Sequence, residues 1–330
     1  MSGRTRLEAP TIHDRGPTPR IGAPRGRAGP VLLLAAATGV LLLVPVPATG
    51  RLGRVLMDLA HVPIAAGLAW AAGSVLRARL PGRPLVAALL GFVFVAGFLG
   101  LLEALQPLVG RGGSWQDAWN GAFAAAGASA FLAGRSLGGA AATVASVAGV
   151  AGLLLACRLP VRDLYDVWRQ RRDLPRLASF EDALELRRWS FAGASGRRSL
   201  EHATHGESSL AVDFAPGRWP SATLAGPPPD WTAYDALVFD VFVDAGGAIP
   251  LVVKVVDADH DGTYEDRFQQ EMSLLPGEHR VEIPLARVAE GPVRRRLDLA
   301  RVEAVQWFAD GLDRPRTIHL DDVRLVRTPR

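Results

Sequence analysis

Residues 85–102 read LVAALLGFVFVAGFLGLL, eighteen consecutive residues without a charged side chain. A run of this length and apolarity is typical of a helix that crosses a membrane, because about 20 residues span the hydrocarbon core. The sequence therefore predicts a membrane helix here, and four further apolar runs extend the prediction to five. Those runs are residues 31–49, 55–76, 118–134 and 138–157.

Charge is unevenly distributed along the 330 residues, whose net charge is +4. Residues 31–157 contain only three acidic residues, whereas residues 158–330 contain most of the acids of the chain. The Arg-, Pro- and Gly-rich residues 1–30 predict a disordered cytoplasmic tail. This distribution argues against a simple soluble enzyme and against a nucleic-acid-binding protein. The single cysteine, Cys157, excludes an internal disulfide and a multi-cysteine metal site.

Arginines in the short loops predict the orientation, because cytoplasmic loops are enriched in them. The N-terminal tail has six, and the loop after the second run has three. We therefore expect a cytoplasmic N-terminus and, with five helices, an extracytoplasmic C-terminal half. Four helices with a cytoplasmic C-terminus are the alternative. A cleaved signal peptide at residues 31–49 is less favoured, because four apolar runs follow it.

Residues 158–177 contain six arginines on the side of the membrane where few are expected. Three aspartates are interleaved with them, and Leu164 and Trp168 lie four residues apart. This pattern predicts a juxtamembrane amphipathic helix that lies at the membrane surface and links the two halves of the chain.

All three acids of residues 31–157 have a polar companion three residues later, a spacing that places both side chains on one helix face. The predicted topology puts these pairs at the extracytoplasmic ends of their helices, beside Arg111 in a loop. Ionisable groups in membrane segments are costly, so this cluster is a candidate functional site. The pairs are Asp58 with His61, Glu103 with Gln106 and Asp117 with Asn120.

Over residues 31–135 these motifs resemble the VanZ-like family. Two positions depart from the family pattern, since Leu59 and Ala65 stand where that family often has Lys and Tyr. The resemblance implies an envelope membrane protein, linked through the family's namesake to glycopeptide-antibiotic resistance, and supplies no reaction. The matching segments are Asp58-Leu-Ala-His61, Glu103-Ala-Leu-Gln106, Gly110-Arg111 and Asp117-Ala-Trp-Asn120-Gly121.

Three interpretations of the polar cluster remain open. It could bind a polar head group or a lipid-linked glycan, or it could perform acid–base chemistry with Asp58, His61 and Glu103. Alternatively, its side chains could hold neighbouring helices together, since buried polar groups need partners. A metal at His61 is disfavoured because the predicted helices contain no second histidine. No residue is assigned a catalytic role, and binding is favoured over an enzymatic activity.

The C-terminal half changes to short alternating runs, of which residues 236–244 are the clearest. Leu237, Phe239, Val241 and Val243 fall on one side of a strand with a period of two. About eight such runs, separated by Gly/Pro turns, predict an antiparallel jelly-roll sandwich over residues 178–330.

Three segments of this half resemble the galactose-binding-like jelly rolls of carbohydrate-binding modules, over residues 178–328. They are Phe180-Glu-Asp182, Asp257…His260…Asp266-Arg267-Phe268 and His319-Leu-Asp-Asp-Val-Arg-Leu325. The resemblance implies glycan binding without catalysis. Exposed aromatic side chains suit such sites, so Trp219 and Trp231 are also considered. The candidate ligand-binding residues are Asp257, His260, Tyr264, Asp266, Arg267 and Trp307.

Residues 257–262 read DADHDG and copy the start of a calcium-binding loop. An EF-hand is rejected, because Phe268 stands where its terminal Glu is required. Calcium held by Asp257, Asp259 and Asp261 and a solvated loop between strands both remain open. No other cofactor is expected, and no nucleophile-elbow or phosphate-loop motif occurs in the sequence.

Together these patterns predict a membrane protein of the bacterial inner membrane with an extracytoplasmic sandwich. Its expected partners are membrane lipid and an envelope glycan or glycolipid. The alternatives are an enzyme acting on a lipid-linked envelope precursor and a structural envelope protein whose sandwich binds another protein.

Overall fold

The computed structural model describes Ala36, residues 50–109 and residues 115–328. The N-terminal tail, the predicted first membrane helix apart from Ala36, and Arg111 lie outside these residues.

The N-terminal half is a bundle of four long helices within the described part of the chain. Helix α1 is Gly50–Arg79, α2 is Pro84–Leu105, α3 is Trp115–Gly134 and α4 is Gly139–Arg172. Short connections make sequential helices antiparallel, and α1 contacts the other three helices. Their shared core contains small and branched apolar side chains, among them Ala65, Leu68, Val95, Leu99 and Ala125.

Glycines allow the helices to approach closely, as their composition predicts. A Cβ atom at Gly91 of α2 would lie 2.9 Å from the backbone nitrogen of Gly73 in α1. A Cβ atom at Gly127 of α3 would lie 2.7 Å from the carbonyl oxygen of Gly149 in α4. Both distances are too short for a larger residue, so the backbones themselves form these contacts.

Four of the five predicted membrane helices fall within the described residues, and the structure supports fewer than these four. Three helices of the described residues are long and apolar enough to cross a membrane: Arg51–Arg79, Pro84–Leu108 and Gly139–Arg172. Helix α3 is not among them. It packs against α1, α2 and α4 with an Ala- and Gly-rich surface, and so carries less apolar side-chain surface than its neighbours.

Helix α4 also differs from expectation, because it passes through residue 158 without a break. Its 34 residues correspond to about 51 Å, well beyond the roughly 30 Å of a hydrocarbon core. Residues 158–172 of the expected surface helix therefore form the last four turns of α4, whereas residues 176–177 belong to a strand. The arginines of residues 158–172 belong to a helix end that extends past the apolar segment.

The C-terminal half is a β-sandwich of two antiparallel sheets, as predicted. The six-stranded sheet has the order β3-β4-β11-β6-β9, with β1 also paired to β11, and the five-stranded sheet has the order β2-β5-β10-β7-β8. A short helix, α5, spans Leu285–Ala289. The strands are β1 Arg176–Ala178, β2 Trp189–Ala192, β3 Ala194–Ser199, β4 Ser209–Phe214, β5 Ser221–Ala225, β6 Ala236–Val243, β7 Ile249–Asp257, β8 Phe268–Leu274, β9 Gly277–Pro284, β10 Val302–Ala309 and β11 Arg316–Val326.

Alternation along the strands fills the space between the sheets. Leu237, Phe239, Val241 and Val243 of β6 are buried there, as their period of two predicts. The core also contains Trp231 and Trp307. The opposite faces of both sheets therefore remain available for polar side chains and for ligands.

Candidate functional site

A groove of about 580 Å³ lies on the outer face of the five-stranded sheet. Strand alternation forms its floor: on β10, Val305 and Trp307 face the core, whereas Gln306 and Phe308 line the groove. Gln269 of β8, which is separated from β10 by β7 in the same sheet, also lines the floor. The groove therefore has a rigid base made by regular strands.

Two exposed aromatic side chains stand at the groove. Trp219 is 58% exposed and Tyr264 is 62% exposed, high values for residues of this size. The guanidinium carbon of Arg218 lies 4.5 Å from the Trp219 ring centroid, and that of Arg267 lies 4.6 Å from the Tyr264 centroid. Such cation–π contacts hold the rings in place without removing them from solvent.

Polar side chains between the aromatic residues are arranged in a row. Arg267 Nη2 donates to Gln269 Oε1 at 2.7 Å, and Gln269 Nε2 donates to Glu271 Oε1 at 3.0 Å. Gln306 and Asp310 complete the polar lining. The groove thus combines apolar ring surface with amide, carboxylate and guanidinium groups.

The structure places the predicted ligand residues in three environments, namely the groove, the core and a cluster around Arg295. Tyr264 and Arg267 line the groove together with Trp219. Trp231 and Trp307 are fully buried in the core, which removes Trp307 from a surface site. Its burial follows from its position on β10, where it lies in the same alternation as Val305.

Sequence reasoning did not identify several groove residues: Arg218, Gln269, Glu271, Gln306 and Asp310. Strand alternation carried a signal for three of them. Gln269 and Glu271 share one face of β8, and Gln306 lies between core residues of β10.

Asp257 and Asp266 are joined through Arg295, and Asp266 directly precedes the groove residue Arg267. Arg295 Nη1 and Nη2 donate to the two oxygens of Asp257 at 2.5 and 2.7 Å, and Nη2 also donates to Asp266 Oδ2 at 3.0 Å. His260 Nδ1 lies 2.6 Å from the carbonyl oxygen of Asp266. Arg295 was not identified from the sequence.

These contacts set the protonation of both carboxyl groups. Hydrogen bonds from Arg295 and from the backbone N–H of Asp261 lower the pKa of Asp266 to about 2. Burial opposes ionisation of Asp257, but hydrogen bonds from Arg295 and from the Asp298 N–H hold the pKa of Asp257 below its usual value. Both groups are therefore anionic at neutral pH.

The carboxylates of the predicted calcium loop have protein partners. Asp257 bonds Arg295, Asp259 pairs with Arg301 at 2.9 Å, and Asp261 accepts hydrogen bonds from Thr263. Calcium binding at Asp257, Asp259 and Asp261 stays a prediction.

The polar pairs of the bundle converge at one end of α1, α2 and α3. One ligand-type atom from each of Asp58, His61 and Asp117 lies within 4.8 Å of the other two. His61 Nε2 is 3.9 Å from Glu103 Oε1, which also accepts a 2.9 Å hydrogen bond from Gln106 Nε2. Side chains from α1, α2 and α3 thus lie close together at this end of the bundle.

Several side chains of this polar cluster are buried. His61, Glu103, Gln106 and Asn120 are each less than a tenth exposed. His61 Nδ1 lies 2.9 Å from the carbonyl oxygen of Met57, which can only accept, so Nδ1 carries the hydrogen. The other ring nitrogen, Nε2, faces the Glu103 carboxyl group.

Arginine–carboxylate contacts join the sandwich to the same end of the bundle. Asp166 of α4 is 1% exposed and forms ion pairs with Arg51 of α1 at 2.6 Å and with Arg188 of the sandwich at 2.7 Å. Arg54 of α1 contacts Glu303 of β10 at 2.8 Å. The sandwich therefore rests on the start of α1 and the end of α4.

The Arg51–Asp166 contact also locates the polar cluster. Because α1 and α4 are antiparallel, Asp58 lies level with roughly residue 159 of α4, where the apolar part of that helix ends. The cluster is thus near the apolar boundary on the side of the sandwich.

No protein-family model matches the chain, and no curated protein matches it. The VanZ-like resemblance therefore stays a prediction.

Similar solved structures include carbohydrate-binding modules and agarases. An exo-beta-agarase is 15% identical with a TM-score of 0.39, covering 47% of this chain and 25% of the agarase. A family 11 carbohydrate-binding module from Clostridium thermocellum, in complex with a beta-1,3-1,4-mixed-linked tetrasaccharide, is 16% identical with a TM-score of 0.36. It covers 46% of this chain and 95% of the module.

A third similar structure is the CBM22-1 xylan-binding domain from Paenibacillus barcinonensis Xyn10C. It is 14% identical with a TM-score of 0.31, covering 46% of this chain and 93% of that domain. This chain thus spans about a quarter of the agarase and nearly all of each module.

Proposed function

We propose that this chain is a membrane-anchored glycan-binding protein of the bacterial envelope. Its β-sandwich binds an oligosaccharide or a glycolipid head group in the groove of the five-stranded sheet. The observation that carries the proposal is the pair of exposed aromatic side chains, Trp219 and Tyr264, flanking a row of polar groups.

The chemistry of the groove suits a sugar. A pyranose ring has an apolar C–H face and a rim of hydroxyl groups, so it pairs with an aromatic ring and with amide or carboxylate groups together. Gln269, Glu271 and Gln306 supply both donors and acceptors, as hydroxyl groups require. The strand floor fixes their positions and lowers the entropy cost of binding.

The anchoring part of the proposal rests on the helices. Apolar side chains are exposed along α2 and α4, where water would be an unfavourable solvent and lipid a favourable one. We propose that these surfaces contact membrane lipid and that the sandwich is extracytoplasmic, with a cytoplasmic N-terminus. The exposed side chains include Leu85, Leu89, Val93, Phe94, Val144, Val147, Leu154 and Leu155.

The connection between the halves determines how the groove is presented. Asp166 joins Arg51 of α1 to Arg188 of the sandwich, and Arg54 joins α1 to Glu303. This network would hold the sandwich close to the membrane surface, so that a glycolipid head group or a nearby wall glycan is within reach.

The test is binding of the purified full-length chain, in detergent, to a panel of envelope glycans. Wild-type protein is expected to bind at least one glycan, and Trp219→Ala is expected to weaken binding by about tenfold, in line with loss of one aromatic platform. Leu200→Ala is the matched control, because Leu200 is 80% exposed and is not part of the groove lining. Equal binding by Trp219→Ala and the control would contradict the proposal.

A second function is supported by the bundle cluster, in which Asp58, His61 and Asp117 lie within 4.8 Å. This geometry would allow acid–base chemistry on a lipid-linked envelope precursor. Glu103→Gln keeps the shape of the side chain and removes its ionisation. An unchanged envelope phenotype in that variant would exclude Glu103 as an acid or a base.

A further inference from the structure

Three metal-ligating side chains meet on the outer face of the six-stranded sheet, on the opposite side of the sandwich from the groove. His202 lies in the loop between β3 and β4, Asp244 follows β6, and His319 belongs to β11. One nitrogen from each histidine and one carboxylate oxygen lie within 4.8 Å of one another.

The hydrogen bonds of His319 determine which of its nitrogens is free to act as a ligand. Ser209 Oγ donates its one hydrogen to the Glu201 carbonyl oxygen at 2.6 Å. Towards His319 Nδ1, 3.4 Å away, the hydroxyl can therefore only accept, so Nδ1 carries the hydrogen. The neutral ring then has its lone pair on Nε2.

That lone pair faces another electron-rich atom. His319 Nε2 lies 3.7 Å from Asp244 Oδ1, while the His319 side chain is only 2% exposed. A lone pair and a carboxylate oxygen at this separation are complementary to a cation between them.

His202 is held at the same point by its own contacts. Its ring stacks on Phe242 with a centroid distance of 3.4 Å and an interplanar angle of 7°. It meets His319 edge-on, with centroids 4.7 Å apart. Its backbone φ of 54° is in the left-handed region, which few residues other than glycine adopt.

Two of the three side chains, His202 and His319, border an open cavity of about 400 Å³. Thr204, Glu278 and His279 also line it, and Arg280 lies 3.9 Å from Asp240 at its edge. Water can therefore reach the convergence point from one side.

We propose that His202, Asp244 and His319 bind a divalent transition-metal ion of the zinc type, with a remaining position open to the cavity. Two imidazole nitrogens and one carboxylate oxygen are a ligand set that Zn²⁺ takes at about 2.0–2.2 Å. Tetrahedral ligands at those distances are about 3.3 Å apart. His202 is exposed and the Asp244 side chain is 42% exposed, so small movements of these two side chains around the buried His319 bring them to that spacing.

The site is independent of the proposed glycan groove, which lies on the other sheet. It also differs from the predicted calcium loop in chemistry, because two of its three ligands are imidazoles. Its Ser209 contact provides the hydrogen bond that fixes the tautomer of a metal-bound histidine.

The experiment is a titration of the full-length chain with Zn²⁺, after purification in detergent without a histidine tag. Calorimetry is expected to show one Zn²⁺ per chain, and the visible spectrum of the Co²⁺-substituted protein is expected to report nitrogen and oxygen ligands. His202→Gln and Asp244→Asn each remove one exposed ligand and are expected to weaken binding by more than about tenfold.

His279→Gln is the matched control, since His279 lines the same cavity without belonging to the triad. His260→Gln and His61→Gln separate this site from the two other clusters that could hold a metal. Loss of Zn²⁺ in His202→Gln and Asp244→Asn, with binding retained in the three other variants, supports the proposal. No saturable Zn²⁺ binding, or binding lost only in His260→Gln or His61→Gln, overturns it.

Discussion

Replacing Arg295 by Met is expected to destabilise the sandwich. Arg295 bonds both oxygens of Asp257, whose side chain is completely buried, and it also contacts Asp266. Removing one partner of a buried ion pair costs about 3–5 kcal/mol, and the 29% exposure of Arg295 reduces this to about 2–4 kcal/mol. At roughly 3 °C per kcal/mol, the midpoint of thermal unfolding falls by about 6–12 °C.

The unfolding is measurable through tryptophan fluorescence of the full-length chain in detergent, because Trp189, Trp231 and Trp307 are buried in the sandwich core. The control is Arg301→Met, which breaks an exposed pair with Asp259 worth less than about 1 kcal/mol.

The pH dependence follows from the sign of the pKa shifts. The pKa values of Asp257 and Asp266 are both below the ordinary value, that of Asp266 being about 2. Their stabilising contribution is therefore complete above about pH 4 and declines as the pH falls towards about 2. The difference between the thermal unfolding midpoints of wild type and Arg295→Met therefore becomes smaller as the pH falls over that interval. Equal midpoints for the Arg295 and Arg301 variants, or a difference that does not change with pH, would refute this reasoning.

Two further predictions concern the bundle and its junction with the sandwich. Gly127→Ala places a Cβ atom 2.7 Å from the Gly149 carbonyl oxygen and should destabilise the bundle by about 1–3 kcal/mol, measured by thermal unfolding in detergent. The control is Gly97→Ala, whose Cβ atom would meet open space and should not destabilise the bundle. Arg188→Ala removes one of the two arginines that pair with the buried Asp166, and limited proteolysis should then cut the chain faster near residue 173. The control is Arg187→Ala, which removes a partly exposed pair with Asp163 and should increase cleavage less. Equal unfolding midpoints for the two glycine variants, or equal cleavage rates for the two arginine variants, would contradict the packing described.

The regular elements could be predicted because their patterns are periodic. Apolar length alone predicted α2, and alternation predicted β6 and the two-sheet sandwich. Spacing of three residues predicted which polar side chains of the bundle share a helix face, and the geometry brings Asp58, His61 and Asp117 together.

Other features depend on contacts between distant residues and have no local signal. Helix α4 continues past residue 158 because Asp163 and Asp166 meet Arg187 and Arg188 of the sandwich, partners more than 20 residues away. Trp307 is a core residue because its ring packs against the rings of Trp189 and Phe239, contacts that its aromatic character alone does not reveal. Arg295 lies 38 residues from Asp257, so their pairing appears only in the folded chain.

The groove residues could be predicted from the sequence only in part. Tyr264 and Trp219 could be selected as exposed aromatic residues, and the structure places both at the groove. Their polar companions come from β8 and β10, and only the sheet order brings those strands close to one another through β7.

The central claim is that the outer face of the five-stranded sheet binds glycan. The most direct measurement is photo-crosslinking of a bound, photoreactive oligosaccharide to the full-length chain, followed by peptide mapping. The account predicts labelled peptides that contain Trp219, Tyr264 or Glu271 and loss of label in excess unlabelled sugar. Competable label confined to Phe242 and Arg280 on the opposite sheet, or to the helices, would contradict it.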